Sequence, residues 1–232
     1  MNPRRMVLGS ILQMYRPMVL WFAAALVVFV ALTEIVIVQF ADPPFSLWMF
    51  IAGSGVKYWF GVVGVMSVAA HLRLFVAAGI TRRDFLAGSL LFGVLAAIAF
   101  AVFVTAGHGV EYVLRGGADG VPPAYPDWSP AVALREIGHI LPSCLAFLVA
   151  GATASAGFYR FGAWIGLLLV IPALLPMAVS EGLLGIGDKG EVVSRFLPYG
   201  VAFAVSLAVT ALGALVYRRE LRDVAIRATP LG

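Results

Sequence analysis

Six long apolar runs separated by short polar breaks make up most of this chain, and they decide its solvent before any other feature is read. A helix needs about 20 predominantly apolar residues to cross the hydrocarbon core of a bilayer. On that length criterion the runs fall at roughly 17–39, 47–70, 85–107, 131–157, 161–184 and 197–217. With 62% apolar residues and a mean hydropathy of +0.98, the composition fits no soluble globular domain. Only helices and closed barrels satisfy their backbone in lipid. A barrel would show segments of about ten residues with alternating polarity, which are absent here. The expected fold class is therefore an all-α membrane protein with six transmembrane helices in a single domain, 1–232.

The charges orient the bundle. Arg4, Arg5 and Arg16 precede the first run, and Arg73, Arg82 and Arg83 lie between the second and third. Arg160 lies between the fourth and fifth, and Arg218, Arg219, Arg222 and Arg227 follow the sixth. Six spans place these eleven of the sixteen basic residues on one side, accompanied only by Asp84, Glu220 and Asp223. The opposite side carries Asp42, Glu111, Asp119, Asp127, Asp188 and Glu191. Basic residues remain on the cytoplasmic side, so both termini are expected there. The first run exceeds the core of about 7–15 residues of a cleaved signal peptide and is read as an uncleaved anchor. Cys144 is the single cysteine, which excludes an intrachain disulfide and a cysteine metal site. The basic balance meets anionic lipid headgroups, and no nucleic-acid partner is read into it.

Two polar stretches, at 108–130 and 185–196, exceed the median loop of about 4–6 residues. The first carries Gly116, Gly117, Gly120, Pro122, Pro123, Pro126 and Pro130, and irregular structure is expected there. Residues 3–16 place Val7, Leu8, Ile11, Leu12 and Tyr15 on one helical stripe and Arg5, Gly9, Gln13 and Arg16 on the other. That pattern predicts an amphipathic helix lying in the interface, turned sharply into the first span at Pro17.

The stretch His71–Phe85, HLRLFVAAGITRRDF, reads as a short helix, a break and a new helix. Gly79 suits the left-handed position that closes a helix. Thr81 and Asp84 have capping-box spacing, and Asp84 complements the positive end of the next helix. The reading is a compact helix wedged between spans two and three, suited to a groove on another protein. Arg73, Arg82 and Arg83 offer charged contacts, with Leu74, Phe75 and Ala78 as an apolar knob.

With its amphipathic N-terminal helix, six spans and Gly79-x-Thr81-Arg82-Arg83-x-Phe85 stretch, the chain resembles the permease subunit of bacterial type-2 ABC exporters. The resemblance implies that residues 71–83 form the coupling helix, with Arg73, Leu74, Phe75, Ala78, Gly79, Thr81, Arg82 and Arg83 as contacts. It implies a separate ABC-type ATPase, in two copies, that binds ATP and Mg; nothing in this chain resembles a phosphate-binding loop. It also implies a second permease chain, the same or different, in a bacterial plasma membrane. The cargo would be an amphipathic, lipid-like, drug or peptide molecule moved outward.

Other residues offer candidate sites. Glu34 lies near the outer end of the first span, and Lys57 about 15 Å into the second. A charge at that depth must pair, snorkel or face a cavity. A Glu34–Lys57 tie is the structural reading; a polar lining of the substrate path is the functional one. Arg135, Glu136 and His139 share the first turns of the fourth span after Ser129 and Pro130. Glu-x-x-His can serve a metal, but the second such motif a bundle site needs is missing, so a polar cluster at the external mouth is expected. Gly162 with Gly166, and Gly151 with Ser155, allow close helix approach, either within the chain or between copies. Pro172 and Pro176 predict a bent or broken fifth span. Ser54 and His139 are the best pair for an intramembrane serine protease, an alternative to the permease alongside a non-transporting scaffold.

Overall fold

The computed structural model describes residues 3–41, 43–117, 120–122, 125–187 and 191–222. Asp42, Asp119, Pro123, Asp188, Asp223 and Arg227 lie outside the described residues. Among the described residues, six helices or runs of consecutive helices are long and apolar enough to cross a membrane. They comprise α1 (Pro3–Val38), α2 (Leu47–Met66) continued through a π turn (Ser67–His71) into α3 (Leu72–Ala77), α4 (Arg82–Leu114), α5 (Pro130–Phe161), α6 (Ala163–Ala173) with α7 (Leu175–Leu183), and α8 (Tyr199–Arg222). Between α7 and α8 a small antiparallel hairpin pairs β1 (Leu184–Ile186) with β2 (Val192–Ser194).

Three boundaries differ from expectation, and a fourth follows it. First, α1 runs through Pro17 without interruption, so no separate interfacial helix forms. The apolar stripe of residues 3–16 finds protein instead of an interface. Val7, Ile11 and Tyr15 are buried, and Val7 sits where Gly88 of α4 leaves room. Tyr15 packs on Phe92 and its hydroxyl meets His71 Nδ1 at 3.1 Å.

Second, the short helix expected between spans two and three is not a separate element. Leu72–Ala77 prolongs span two through the π turn, giving one helix of 31 residues, Leu47–Ala77. At 1.5 Å per residue that is about 46 Å, longer than the roughly 30 Å apolar core. Its end therefore projects as a stiff tip. Gly79 does take the left-handed conformation, with φ +81°. Thr81 caps α4 by accepting the Asp84 N–H at 3.2 Å, and its hydroxyl donates to Asp84 Oδ2 at 2.7 Å. The capping spacing thus acts at the N-terminus of α4.

Third, α4 continues to Leu114, two turns beyond the expected end at 107. Gly107 and Gly109 weaken a helix by about 1 kcal/mol each relative to Ala. Here they admit indole rings: the rings of Trp48 and Trp128 occupy the space a Cβ would fill at Gly107 and Gly109 respectively. Packing outweighs propensity, and His108 and Glu111 become helix residues.

Fourth, the fifth span breaks at Leu174, between Pro172 and Pro176, in line with the proline reading. The hairpin that follows was not anticipated.

The core joins α2, α4 and α5, and α1 lies largely against α4. A Cβ on Gly151 would fall 2.2 Å from the Gly61 carbonyl oxygen, and one on Gly64 2.2 Å from that of Leu148. The α2–α5 backbones therefore touch through glycine, and the Gly151 pattern works within the chain. Gly166 likewise packs on Phe158, while Gly162 turns the chain at φ +83°. The arginine-bearing ends meet at one end of the bundle. Arg82 donates to the Arg222 carbonyl at 2.9 Å, Arg160 to those of Arg219 and Glu220, and Arg73 to the Tyr159 hydroxyl at 3.0 Å.

Candidate functional site

Ionisable side chains enter the bundle from the end opposite the termini. Lys57 on α2 is buried and donates to Glu181 Oε2 on α7 at 2.7 Å. His108 on α4 and Glu136 on α5 are both buried and meet at 2.6 Å, Nδ1 to Oε1. His139 lies one helical turn below Glu136, fully buried, with neither ring nitrogen hydrogen-bonded in the structure. Counted from their helix ends, Glu136 and His108 sit about 9 Å deep and His139 and Lys57 about 14–15 Å. Ser143 and Ser180 meet at 3.2 Å beside this set, joining α5 to α7.

A second polar cluster closes the same end nearer the surface. Glu111 of α4 accepts the Leu47 N–H at 3.0 Å, the Trp48 N–H at 3.3 Å and the Ser46 hydroxyl. A carboxylate from α4 thereby caps the N-terminus of α2, where the helix dipole favours it. Arg115 pairs with Glu34 of α1 at 2.6 Å, lies 4.0 Å from Glu111, and stands over the Tyr125 ring. Burial, with Glu111 alongside, pushes the Tyr125 hydroxyl above its ordinary pKa, so it remains neutral. Below the cluster a cleft of about 880 Å³ opens between the outer halves of α1 and α4. Its walls are apolar, including Val30, Ile35, Phe103 and Val110, and its upper end carries Glu34, Gln39, Glu111 and Arg115.

The expected Glu34–Lys57 tie is not made. Arg115 reaches Glu34 because α4 extends two turns further than expected, and Lys57 reaches Glu181 across the α6–α7 break. Arg135, Glu136 and His139 do not form one mouth cluster either. Helical geometry turns Arg135 to the exposed side and the other two inward. The Arg135 carbonyl accepts the Tyr199 hydroxyl at 2.9 Å. Ser54 makes no hydrogen bond to His139, so the proposed nucleophile–base pair is not assembled. Among the described residues no three His, Cys, Asp or Glu side chains gather as a metal set.

At the opposite end, the tip at residues 71–83 divides unevenly. Leu74 is 62% exposed, and Arg73, Ala78, Gly79, Thr81 and Arg83 are exposed with it. Phe75 instead packs on Phe85, with ring centroids 5.4 Å apart, so it belongs to the bundle and not to an apolar knob. Arg73 stacks over Tyr159, and Arg82 is half-buried at the end of α8.

Sequence reasoning missed His108, Glu111, Arg115 and Glu181. The first three fall in a stretch that glycine and proline marked as loop. Glu181 lies inside an apolar run five residues after Pro176, where a lone carboxylate was a signal available to use. No family model matches the chain, and no curated protein and no solved structure matches it.

Proposed function

We propose that this chain is the transmembrane permease subunit of an ABC exporter in a bacterial plasma membrane, with both termini cytoplasmic. It moves an amphipathic cargo outward, and a separate ATPase, in two copies, binds ATP with Mg and supplies the force. A second permease chain completes the pathway. The orientation follows the basic residues gathered at the termini end. The observation that carries the reading is mechanical. One unbroken helix, Leu47–Ala77, holds Lys57 in the buried ionisable set and ends in the exposed tip at Arg73 and Leu74. A push on that tip acts on the Lys57–Glu181 pair without an intervening loop. A π turn at Ser67–His71 lies along this lever, and such turns recur at functional sites.

The test is copurification in mild detergent. The native chain should bring down an ATPase polypeptide whose hydrolysis responds to the permease. Leu74→Asp places a charge in the contact and should remove most of the ATPase while the permease remains monodisperse. Gly79→Val should weaken assembly by distorting the turn. Full assembly and full coupling in both variants would rule out the tip as the coupling element and favour a non-transporting scaffold.

A further inference from the structure

The α1–α4 cleft has a shape and charge that select among amphiphiles. It runs from Val27 to Gln39 along α1 and from Phe103 to Arg115 along α4. Each path is about 18 Å at 1.5 Å per residue, close to the depth of one leaflet of a roughly 30 Å core. Its volume, about 880 Å³, is that of a small-molecule site. Outer-wall residues Ile35, Val110 and Leu114 are also exposed on the helix surface, so the cleft opens sideways towards lipid.

The head of the cleft holds two carboxylates, Glu34 and Glu111, against one guanidinium, Arg115. The guanidinium already faces both, at 2.6 and 4.0 Å. The net charge there is one unit negative. The surrounding end has the same sign: among the described residues outside the group that gathers at the arginine-rich end, six acidic residues stand against four basic ones. An anionic headgroup would meet repulsion both locally and at range, while a cationic one would be drawn to the mouth.

We infer that this cleft binds a single-chain cationic amphiphile from the outer leaflet, its ammonium head at Glu34, Glu111 and Arg115 and its chain between α1 and α4. The assignment rests on the permease reading only for its meaning as cargo; the binding itself does not.

The experiment uses the full chain in phosphatidylcholine nanodiscs, without nucleotide. The probe is a dodecylammonium carrying a spin label on its chain, read by quenching of the Trp48 emission isolated by comparison with Trp48→Phe. Dodecyl sulfate and a neutral dodecyl glycoside with the same label are the comparisons. The cationic probe should bind tightest. Glu34→Gln should weaken it about two- to five-fold, and Arg115→Gln should strengthen it by a similar factor, the range of a partly screened charge contact. Ala106→Trp fills the cleft without altering its charge and should abolish quenching. Equal quenching by all three probes would overturn the charge assignment, as would tighter binding of the sulfate. Undiminished quenching in Ala106→Trp would overturn the location. Exclusion of every probe by a concentration-dependent dimer would replace the amphiphile with a second copy. Full ATPase assembly in Leu74→Asp with cation-selective probe binding intact would be failure of the permease reading alone, whereas loss of the ATPase in that variant with no cation preference in the native chain would be failure of this one.

Discussion

Lys57 shows how much one buried charge constrains its neighbours. Its depth was evident from its place in an apolar run, and so was its need for a partner. The partner was not, because the partner depends on which helix faces meet. Glu181 is nearer in space than Glu34, although Glu34 looked the natural choice along the sequence. A carboxylate left without Lys57, or Lys57 without it, remains in a poorly solvated place. Lys57→Met and Glu181→Gln should each destabilise the protein in detergent, by about 1–3 kcal/mol given the partial exposure of Glu181. Their double variant should cost less than the sum, whereas Lys57→Met with Glu34→Gln should be additive within about 0.5 kcal/mol. Thermal unfolding of these four variants and of Glu34→Gln alone measures both comparisons. The His108–Glu136 pair makes a parallel case. Glu136→Ala strands His108 Nδ1 in the bundle and should cost about 1–3 kcal/mol on the same assay, while a surface change such as Arg135→Gln should cost little.

At the level of elements, apolar length alone located all six spans, because crossing a bilayer leaves few alternatives. Ends were harder. The glycines and prolines within 108–130 marked that stretch as irregular, but two indole rings packed on Gly107 and Gly109 accompany α4 two turns onward. Pro17 suggested a bend that α1 does not make, since the residues before it bury Val7, Ile11 and Tyr15 against α4 and its neighbours. Pro172 and Pro176 did mark the break at Leu174. The Gly151-x-x-x-Ser155 spacing was legible as close packing, but its partner, Gly61 on α2, became evident only in three dimensions. That contact sets a steep expectation. Gly151→Val must push apart two backbones and should leave little monodisperse protein on size exclusion. Gly79→Ala, in open space at φ +81°, should cost only about 1–2 kcal/mol and leave the elution profile unchanged.

For the whole molecule, the division of charge between the two ends organises everything proposed. The arginine-rich end is held together by side chains donating to helix-terminal carbonyls, and it leaves one stiff tip uncovered. The opposite end holds the ionisable bundle interior and the amphiphile-sized cleft. Of this arrangement the sequence carried the two-sided charge pattern and the tip. The cleft and the buried set were illegible because they are made by faces of helices far apart in the chain. If the orientation is as proposed, a single cysteine at 83 should be protected from an impermeant reagent in intact cells, and one at 127 should be labelled. Crosslinking tests whether the tip receives force from a separate ATPase. A photoreactive residue in place of Leu74, irradiated in intact cells, should yield one dominant adduct with a polypeptide that binds ATP. The same residue at position 128, at the other end, should not. An adduct at 74 only with lipid or with another copy of this chain, while 128 captures the ATP-binding polypeptide, would contradict the account.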